Sequence, residues 1–271
     1  MANLARVAII SAVAAIAGLT AGTASAATCG NNAGGFAQWK AEFAKEAAAN
    51  GIKGNALAAL AGTTYATKTI SADRNQKSFK LSLSQFMAKR GGATIASKGK
   101  SLKKQNAALF ANLEKRYGVP AGPLLAIWGM ETGFGSFMGN ANTLSAVATL
   151  AYDCRRSEYF TTQLYAALKL VQSGTLSSSS IGAMHGEVGQ TQFLPANVLK
   201  YGVDGDGNGR VDLRQKADAL ASTANFLRGH GWSAGGGYQP GQGNYGAIQG
   251  WNAAGVYQQA IAIIGAQIDG N

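Results

Sequence analysis

Ile127-Trp128-Gly129-Met130-Glu131-Thr132-Gly133-Phe134-Gly135 ends an apolar helical run on a single carboxylate. Leu124, Ile127, Trp128 and Glu131 stand at i, i+3, i+4 and i+7, so the spacing predicts a helix over 123–131 with one face of three apolar residues and then an acid. Gly133 and Gly135 follow at once, which stops the helix and lets backbone or ligand come close. A carboxyl group held against Trp and Ile resists ionisation, because desolvation disfavours the charged form. That is how a glycosidase keeps a general acid protonated near neutral pH. The plain alternative is a helix-terminal Glu that reaches solvent, where most Glu side chains lie.

Outward from this segment the chain reads as helix after helix. Phe36, Trp39 and Phe43 mark an amphipathic helix closing at Asn50-Gly51, and Phe79, Leu83 and Phe86 another before Gly91-Gly92. A helix is expected over 102–117, carrying Leu109 and Leu113 and stopping at Gly118 with Pro120 beyond. Further helices are expected over 143–151, over 158–172 (capped by Ser157), over 218–228 and over 253–268. The glycine-rich 233–246 reads as loop or short hairpin, and alternating strand patterns are scarce. The expected class is mainly α, with residues 27–110 as an N-terminal helical subdomain and 111–271 as the region that carries the chemistry.

Residues 1–26 read as a cleaved targeting segment: Arg6 as positive n-region, an apolar run over 7–19, and the small-residue site Ala24-Ser25-Ala26. The run is short and Ala-rich for a membrane span, although an uncleaved anchor is the alternative. The remaining chain of about 245 residues holds two cysteines, Cys29 and Cys154, and an exported protein permits one disulfide between them. His185 and His230 stand alone, so no Cys/His metal cluster is expected. The net charge is +11, and residues 68–104 hold ten Lys and Arg (Lys68, Arg74, Lys77, Lys80, Lys89, Arg90, Lys98, Lys100, Lys103, Lys104) against Asp73 alone. Export argues against nucleic acid; an acidic wall polymer or anionic envelope surface fits better, and a merely solvated basic face is the alternative.

Downstream, Gly186-Glu187-Val188-Gly189-Gln190-Thr191-Gln192-Phe193-Leu194-Pro195 brackets two glutamines with glycines, giving backbone that lies close to a ligand and amides suited to sugar hydroxyls. With the Glu131 segment before it and Tyr201-Gly202-Val203-Asp204 after it, the chain resembles the lytic murein transglycosylases of the membrane-bound lytic transglycosylase B type, over about 36–268. The resemblance implies a lysozyme-like α fold and cleavage of the MurNAc–GlcNAc β-1,4 bond of murein with formation of 1,6-anhydromuramic acid. Glu131 matches the family's sole acid/base in G-x-E-T-x-x-G, and Gln192 the glutamine of Q-F-M-P. Tyr159 matches the aromatic after paired arginines, here Arg155-Arg156, and Trp251, Asn252 and Tyr257 match the Y-N-x4-Y segment that lines the sugar cleft. Trp251 stands for a tyrosine, keeping a stacking surface and losing a hydroxyl. Glu187 stands where a small residue is usual, so its role is open. For the three aromatics, core packing is the alternative.

A one-carboxylate mechanism is chemically sufficient here, because the substrate supplies its own nucleophiles and Glu131 acts as acid and then base. The competing readings are a lysozyme-type hydrolase pairing Glu131 with Glu187 or Asp153, and a glycan-binding protein without activity. No cofactor is expected for catalysis, and a monomer is expected. The segment Asp204-Gly205-Asp206-Gly207-Asn208-Gly209-Arg210-Val211-Asp212 follows a calcium-loop pattern, with side-chain oxygens from Asp204, Asp206 and Asn208 and a carbonyl from Arg210. Gln215 at position twelve cannot supply the closing carboxylate, and the resemblance offers Asp218 instead. A structural calcium is one reading, and an Asp/Gly turn with Asp218 as N-cap the other.

Overall fold

The computed structural model describes residues 27–75 and 81–270. The targeting segment expected at 1–26 and the residues Lys77, Phe79 and Lys80 lie outside the described residues. The chain is mainly α, as the periodicity implies. It begins with α1 (Phe36–Ala49), α2 (Gly54–Ala61) and α3 (Thr67–Arg74), followed by α4 (Leu83–Arg90), α5 (Gly92–Gln105), α6 (Ala107–Tyr117) and α7 (Ala121–Thr132). After β1 (Ala141–Asn142) come α8 (Thr143–Tyr152) and α9 (Ser157–Gln172), then β2 (Ile181–Gly182). The chain closes with α10 (Pro195–Tyr201), α11 (Lys216–Gly229), α12 (Tyr245–Trp251) and α13 (Gly255–Asp269). The two short strands pair antiparallel, Ala141 opposite Gly182; residues 233–244 are loop, with no hairpin.

Among the described residues there are two cores, and neither is confined to one side of residue 110. Phe36, Trp39 and Phe43 of α1 pack with Leu150, Phe160 and Leu164 of α8 and α9. Phe86, Leu113, Leu124, Ile127 and Ile261 belong to the other core, which gathers α4–α7 with α11–α13. At the centre of the second lies α7, packed along α13. Here the reading of one apolar face needs correction. Eleven of the twelve residues of α7 are buried, and Glu131 is the exception. Ala, Gly and Pro fill the positions a surface helix would give to polar residues, and a helix apolar all round is a core helix. The close packing depends on Gly122, where a Cβ would stand 2.3 Å from the carbonyl oxygen of Gly265 on α13.

Three further boundaries differ from expectation for local reasons. The helix expected over 102–117 is two helices, broken at Asn106 (φ −120°, ψ 34°), whose side chain donates to the Leu102 carbonyl at 2.9 Å and so competes with the backbone ladder. Ser157 is not the cap of α9 but its first residue; its hydroxyl donates to the Ala151 carbonyl at 2.6 Å and ties α9 to α8. Asp218 is likewise no N-cap: Gln215 takes the N-cap position of α11 without a side-chain bond to it, and Asp218 sits in the first turn. Part of the basic stretch is internally engaged. Arg74 pairs with Asp153 at 2.6 Å and Lys103 with Asp269 at 2.8 Å, while Lys98 lies 5.1 Å from the Phe134 ring.

Candidate active site

Glu131 occupies the last turn of α7. The helix stops because Gly133 takes a left-handed conformation (φ 59°), and Phe134 follows it there (φ 65°). Thr132 fixes the exit: its hydroxyl donates to the Gln190 carbonyl at 2.6 Å and accepts the Gly135 N–H at 2.9 Å. Thr132 and Gln190 thus lock the two glycine-rich segments together. The sequence held a weak sign of this, a Thr set between a helix end and two glycines.

A cavity of about 240 Å³ opens over the carboxyl, lined by Glu131, Glu187, Gln192, Asn197, Trp251 and Asn252. Of the six residues singled out for the site, the fold brings Glu131, Gln192, Trp251 and Asn252 to this cavity. Tyr257 lies beneath it, 3% exposed, and its hydroxyl donates to Glu131 Oε1 at 2.6 Å. It is therefore not a sugar-stacking face but a donor to the acid. Trp251 donates to the same oxygen at 3.1 Å, so the hydroxyl missing at this position is replaced by an indole N–H. Its ring is held edge-on between Phe193 and Phe226, at 5.4 and 5.1 Å between centroids. Tyr159 is outside the cavity lining, half exposed at the start of α9 and packed edge-on against Phe160.

With two donors on Oε1, the other carboxyl oxygen, Oε2, is the one left to carry a proton. Burial pushes the Glu131 carboxyl from 4.5 up to about 7; the hydrogen bonds from Tyr257 and Trp251 oppose the rise, the charge of Glu187 adds to it and that of Arg90 opposes it. Burial and the neighbouring Glu131 likewise hold the Tyr257 hydroxyl well above its ordinary value, so it stays a donor. A general acid poised near neutral pH is the consequence.

Gln192 sits in a left-handed conformation (φ 55°), unusual for a residue with a side chain. The strain is held by a bridge in which Val188 and Phe193 exchange backbone hydrogen bonds of 2.8 and 3.0 Å. The Gln192 side-chain nitrogen donates to the Gly189 carbonyl at 2.8 Å, which leaves its Oε1 as an acceptor at the cavity wall.

The Asp204 loop folds on its own acids. Asp204 accepts the N–H groups of Gly207 at 2.7 Å, Asn208 at 3.2 Å and Gly209 at 2.7 Å, and the Gly209 bond is the main reason its carboxyl lies below the ordinary value. The fully buried Asp218 accepts Gly205 at 2.8 Å and Asp212 at 2.7 Å. Asn208 accepts the Arg210 N–H at 2.9 Å. Oxygens of Asp204, Asp206 and Asp218 all lie within 4.8 Å of one another. Three carboxylates with oxygens this close together, one of them wholly buried, are a donor set of the kind that suits a hard divalent cation.

The transglycosylase SLT domain family matches residues 35–242. The chain belongs to this family. The chain is 36% identical over 121 residues to the membrane-bound lytic murein transglycosylase B of Escherichia coli, a match covering 44% of this chain and 34% of that protein. The aligned part thus spans about a third of the relative's length. Among solved structures the chain is similar to SltB3 of Pseudomonas aeruginosa in complex with NAG-anhNAM-pentapeptide, with a TM-score of 0.80 and 30% identity over 87% of this chain and 80% of that one. It also shares the fold of the E. coli lytic transglycosylase Slt35 in complex with calcium, with a TM-score of 0.76 and 21% identity over 90% and 96% of the two chains. No helix among the described residues is long and apolar enough to cross a membrane.

Proposed function

We propose that this SLT-family protein is a peptidoglycan lytic transglycosylase that cleaves the MurNAc–GlcNAc β-1,4 bond and closes 1,6-anhydromuramic acid, with Glu131 as acid and then base. The observation that carries the reading is the Glu131 carboxyl itself, raised to about 7 and held through Oε1 by Trp251 and Tyr257. Oε2 gives its proton to the glycosidic oxygen as the bond to C1 breaks. The 2-acetamido oxygen of the substrate closes on C1, and the ionised Glu131 then takes the C6 hydroxyl proton as the C6 oxygen attacks C1 and displaces the acetamido oxygen. Gln192 Oε1 and Asn252 receive substrate donors, and Tyr159 offers an exposed ring for a sugar beside the cavity. Export through residues 1–26 would place the reaction in the periplasm, where murein lies. The NAG-anhNAM-pentapeptide bound by the similar SltB3 supports this substrate class. Mass analysis of murein digested by the purified protein tests the reading: anhydro-muramyl ends are expected, and fragments that bear reducing ends alone would overturn it.

Two expectations follow for pH. The acid must be protonated in the free enzyme, so kcat/KM should fall as pH rises through about 7. Tyr257 hydrogen-bonds the ionised form and so lowers the carboxyl pKa; Tyr257→Phe should move that alkaline limb upward by roughly one pH unit, equivalent to about 1.4 kcal/mol, while reducing the rate. A limb that stays in place in the Phe variant would remove Tyr257 from the tuning. The same sign applies to stability. The folded protein binds this proton more tightly than the unfolded chain, so folding stability should decline as pH rises between about 4.5 and about 7.

For the Asp204 loop we propose a structural calcium ion held by Asp204, Asp206, Asn208, the Arg210 carbonyl and Asp218. None of these belongs to the acid/base machinery. An ion that binds only the folded state stabilises it by mass action. Millimolar calcium should therefore raise the melting temperature, Asp206→Ala should abolish the increment, and chelator should leave activity at low temperature largely intact. Coincident melting curves for all three conditions would reduce the segment to a turn.

A further inference from the structure

The acid shares its cavity with a second carboxylate that the one-carboxylate mechanism leaves idle. Glu187 lies in the loop between β2 and α10, its side chain 24% exposed, and lines the same 240 Å³ cavity as Glu131. It is held from behind. The His185 backbone N–H donates to Glu187 Oε2 at 3.0 Å, and His185 Nδ1 lies 3.3 Å from Oε1. On the far side of the ring, Nε2 lies 3.7 Å from Asp73 Oδ1, and Asp73 is paired with both Arg155 and Arg156. Asp73 and His185 are themselves mostly buried.

This series of contacts reaches from α3 through the turn before α9 to the cavity, with the His185 imidazole directly behind the Glu187 carboxylate and Asp73 beyond it, too far from the ring for a hydrogen bond. Each Glu187 oxygen has one contact to His185 and keeps acceptor capacity for a further donor on the cavity side. Two carboxylates around one cavity are what direct hydrolysis of a glycosidic bond requires, one to protonate the leaving oxygen and one to take a proton from water.

We propose that Glu187 is a second catalytic carboxylate, positioned by His185, which activates a water so that a fraction of cleavages ends in hydrolysis. The proposal rests on Glu131 serving as the acid described above. In the hydrolytic branch Glu131 Oε2 gives its proton to the glycosidic oxygen and the C1–O bond breaks. A water oxygen then forms the new bond to C1 while Glu187 accepts one water proton. The products are a muramic acid with a free C1 hydroxyl and a GlcNAc with a free C4 hydroxyl, one water having been added. Glu187 and Glu131 return to their starting states by exchanging one proton with solvent.

The test is a ratio of products. Murein whose reducing ends have been reduced with borohydride is digested, and the newly formed reducing ends are labelled with borodeuteride and counted by mass against anhydro ends. Wild-type protein should form both kinds. Glu187→Gln keeps the shape but cannot take the proton, and should lower the ratio of new reducing ends to anhydro ends at least ten-fold, whatever the total rate; the general base supplies roughly a hundred-fold or more. His185→Gln, which loosens Glu187 without removing it, should lower the ratio by a smaller factor, and it decides the matter if the Glu187 variant does not fold. Only anhydro ends from wild type, or an unchanged ratio in the folded variants, overturns the inference while leaving the transglycosylase reading intact. Only reducing ends from wild type overturns that reading instead and supports the role of Glu187.

Discussion

Glu131→Gln should lose murein cleavage by between roughly a hundred- and ten-thousand-fold, the usual worth of a positioned proton donor and acceptor, without any loss of melting temperature. Both halves of this expectation come from the same geometry. The amide oxygen of Gln can still accept from Trp251 and Tyr257, as Oε1 of Glu131 does at 3.1 and 2.6 Å. The amide nitrogen, placed where Oε2 stands, can neither give nor recover a proton in the reaction. Meanwhile a group that burial pushes from 4.5 up to about 7 is a burden on the folded state above neutral pH, and a neutral isostere removes it. Melting curves at pH 6 and pH 8 check the second half. The wild-type protein should melt lower at pH 8 by more than the variant does. An active Glu131→Gln protein, or one that melts well below wild type at pH 8, would contradict the account of the site.

Loss of the disulfide should have the largest effect on stability. Cys29 and Cys154 are bonded across 125 residues, as the even cysteine count permits. A closed loop of that length is worth about 5 kcal/mol in the chain-entropy model, a third or more of the stability of an ordinary domain. The native side of the bond is well supported. Gly30 donates to the Tyr152 carbonyl at 2.9 Å, and Cys154 donates back to the Gly30 carbonyl at 3.1 Å, so the chain start is strapped to the turn between α8 and α9 with or without sulfur. The bond should therefore act mainly on the unfolded chain. Denaturant unfolding of the paired Cys29→Ser and Cys154→Ser protein should show a much lower midpoint with activity at low temperature preserved. A loss under about 1 kcal/mol would mean that the unfolded chain is already compact around this pair.

The Glu131 segment was legible because its signals are local. An apolar run, one acid and two glycines within twelve residues determine a helix, its end and the carboxyl at that end. What the period could not show is that α7 is enclosed on every side, since Gly122, Ala126 and Gly129 read as neutral in a face-by-face count yet permit close neighbours. Asn106 shows the opposite failure: one side chain bonded to a carbonyl four residues back divides a helix that the apolar spacing carries through. Trp251 and Tyr257 were identified as site residues, but their function as paired donors to one oxygen depends on contacts 120 and 126 residues away in sequence. Glu187 was hardest to read, because its partners His185 and Asp73 come together only after α3 packs beside the loop that follows β2. Long-range polar contacts have no period, and nothing in the local pattern announces them.

The enclosure of α7 also limits how this protein can adapt. In many enzymes the pH at which activity peaks drifts readily between relatives, because the residues around the acid are exposed and free to vary. Here the helix that carries the carboxyl also forms the centre of the main core, so a substitution among Leu124, Ile127 and Trp128 would weaken the fold whatever it did to the acid. Selection for a more acidic or more alkaline habitat is therefore channelled to positions outside that helix that act on the carboxyl by hydrogen bond or by charge: Trp251, Tyr257 and Arg90. Relatives from different habitats should vary there while the sequence of α7 stays fixed.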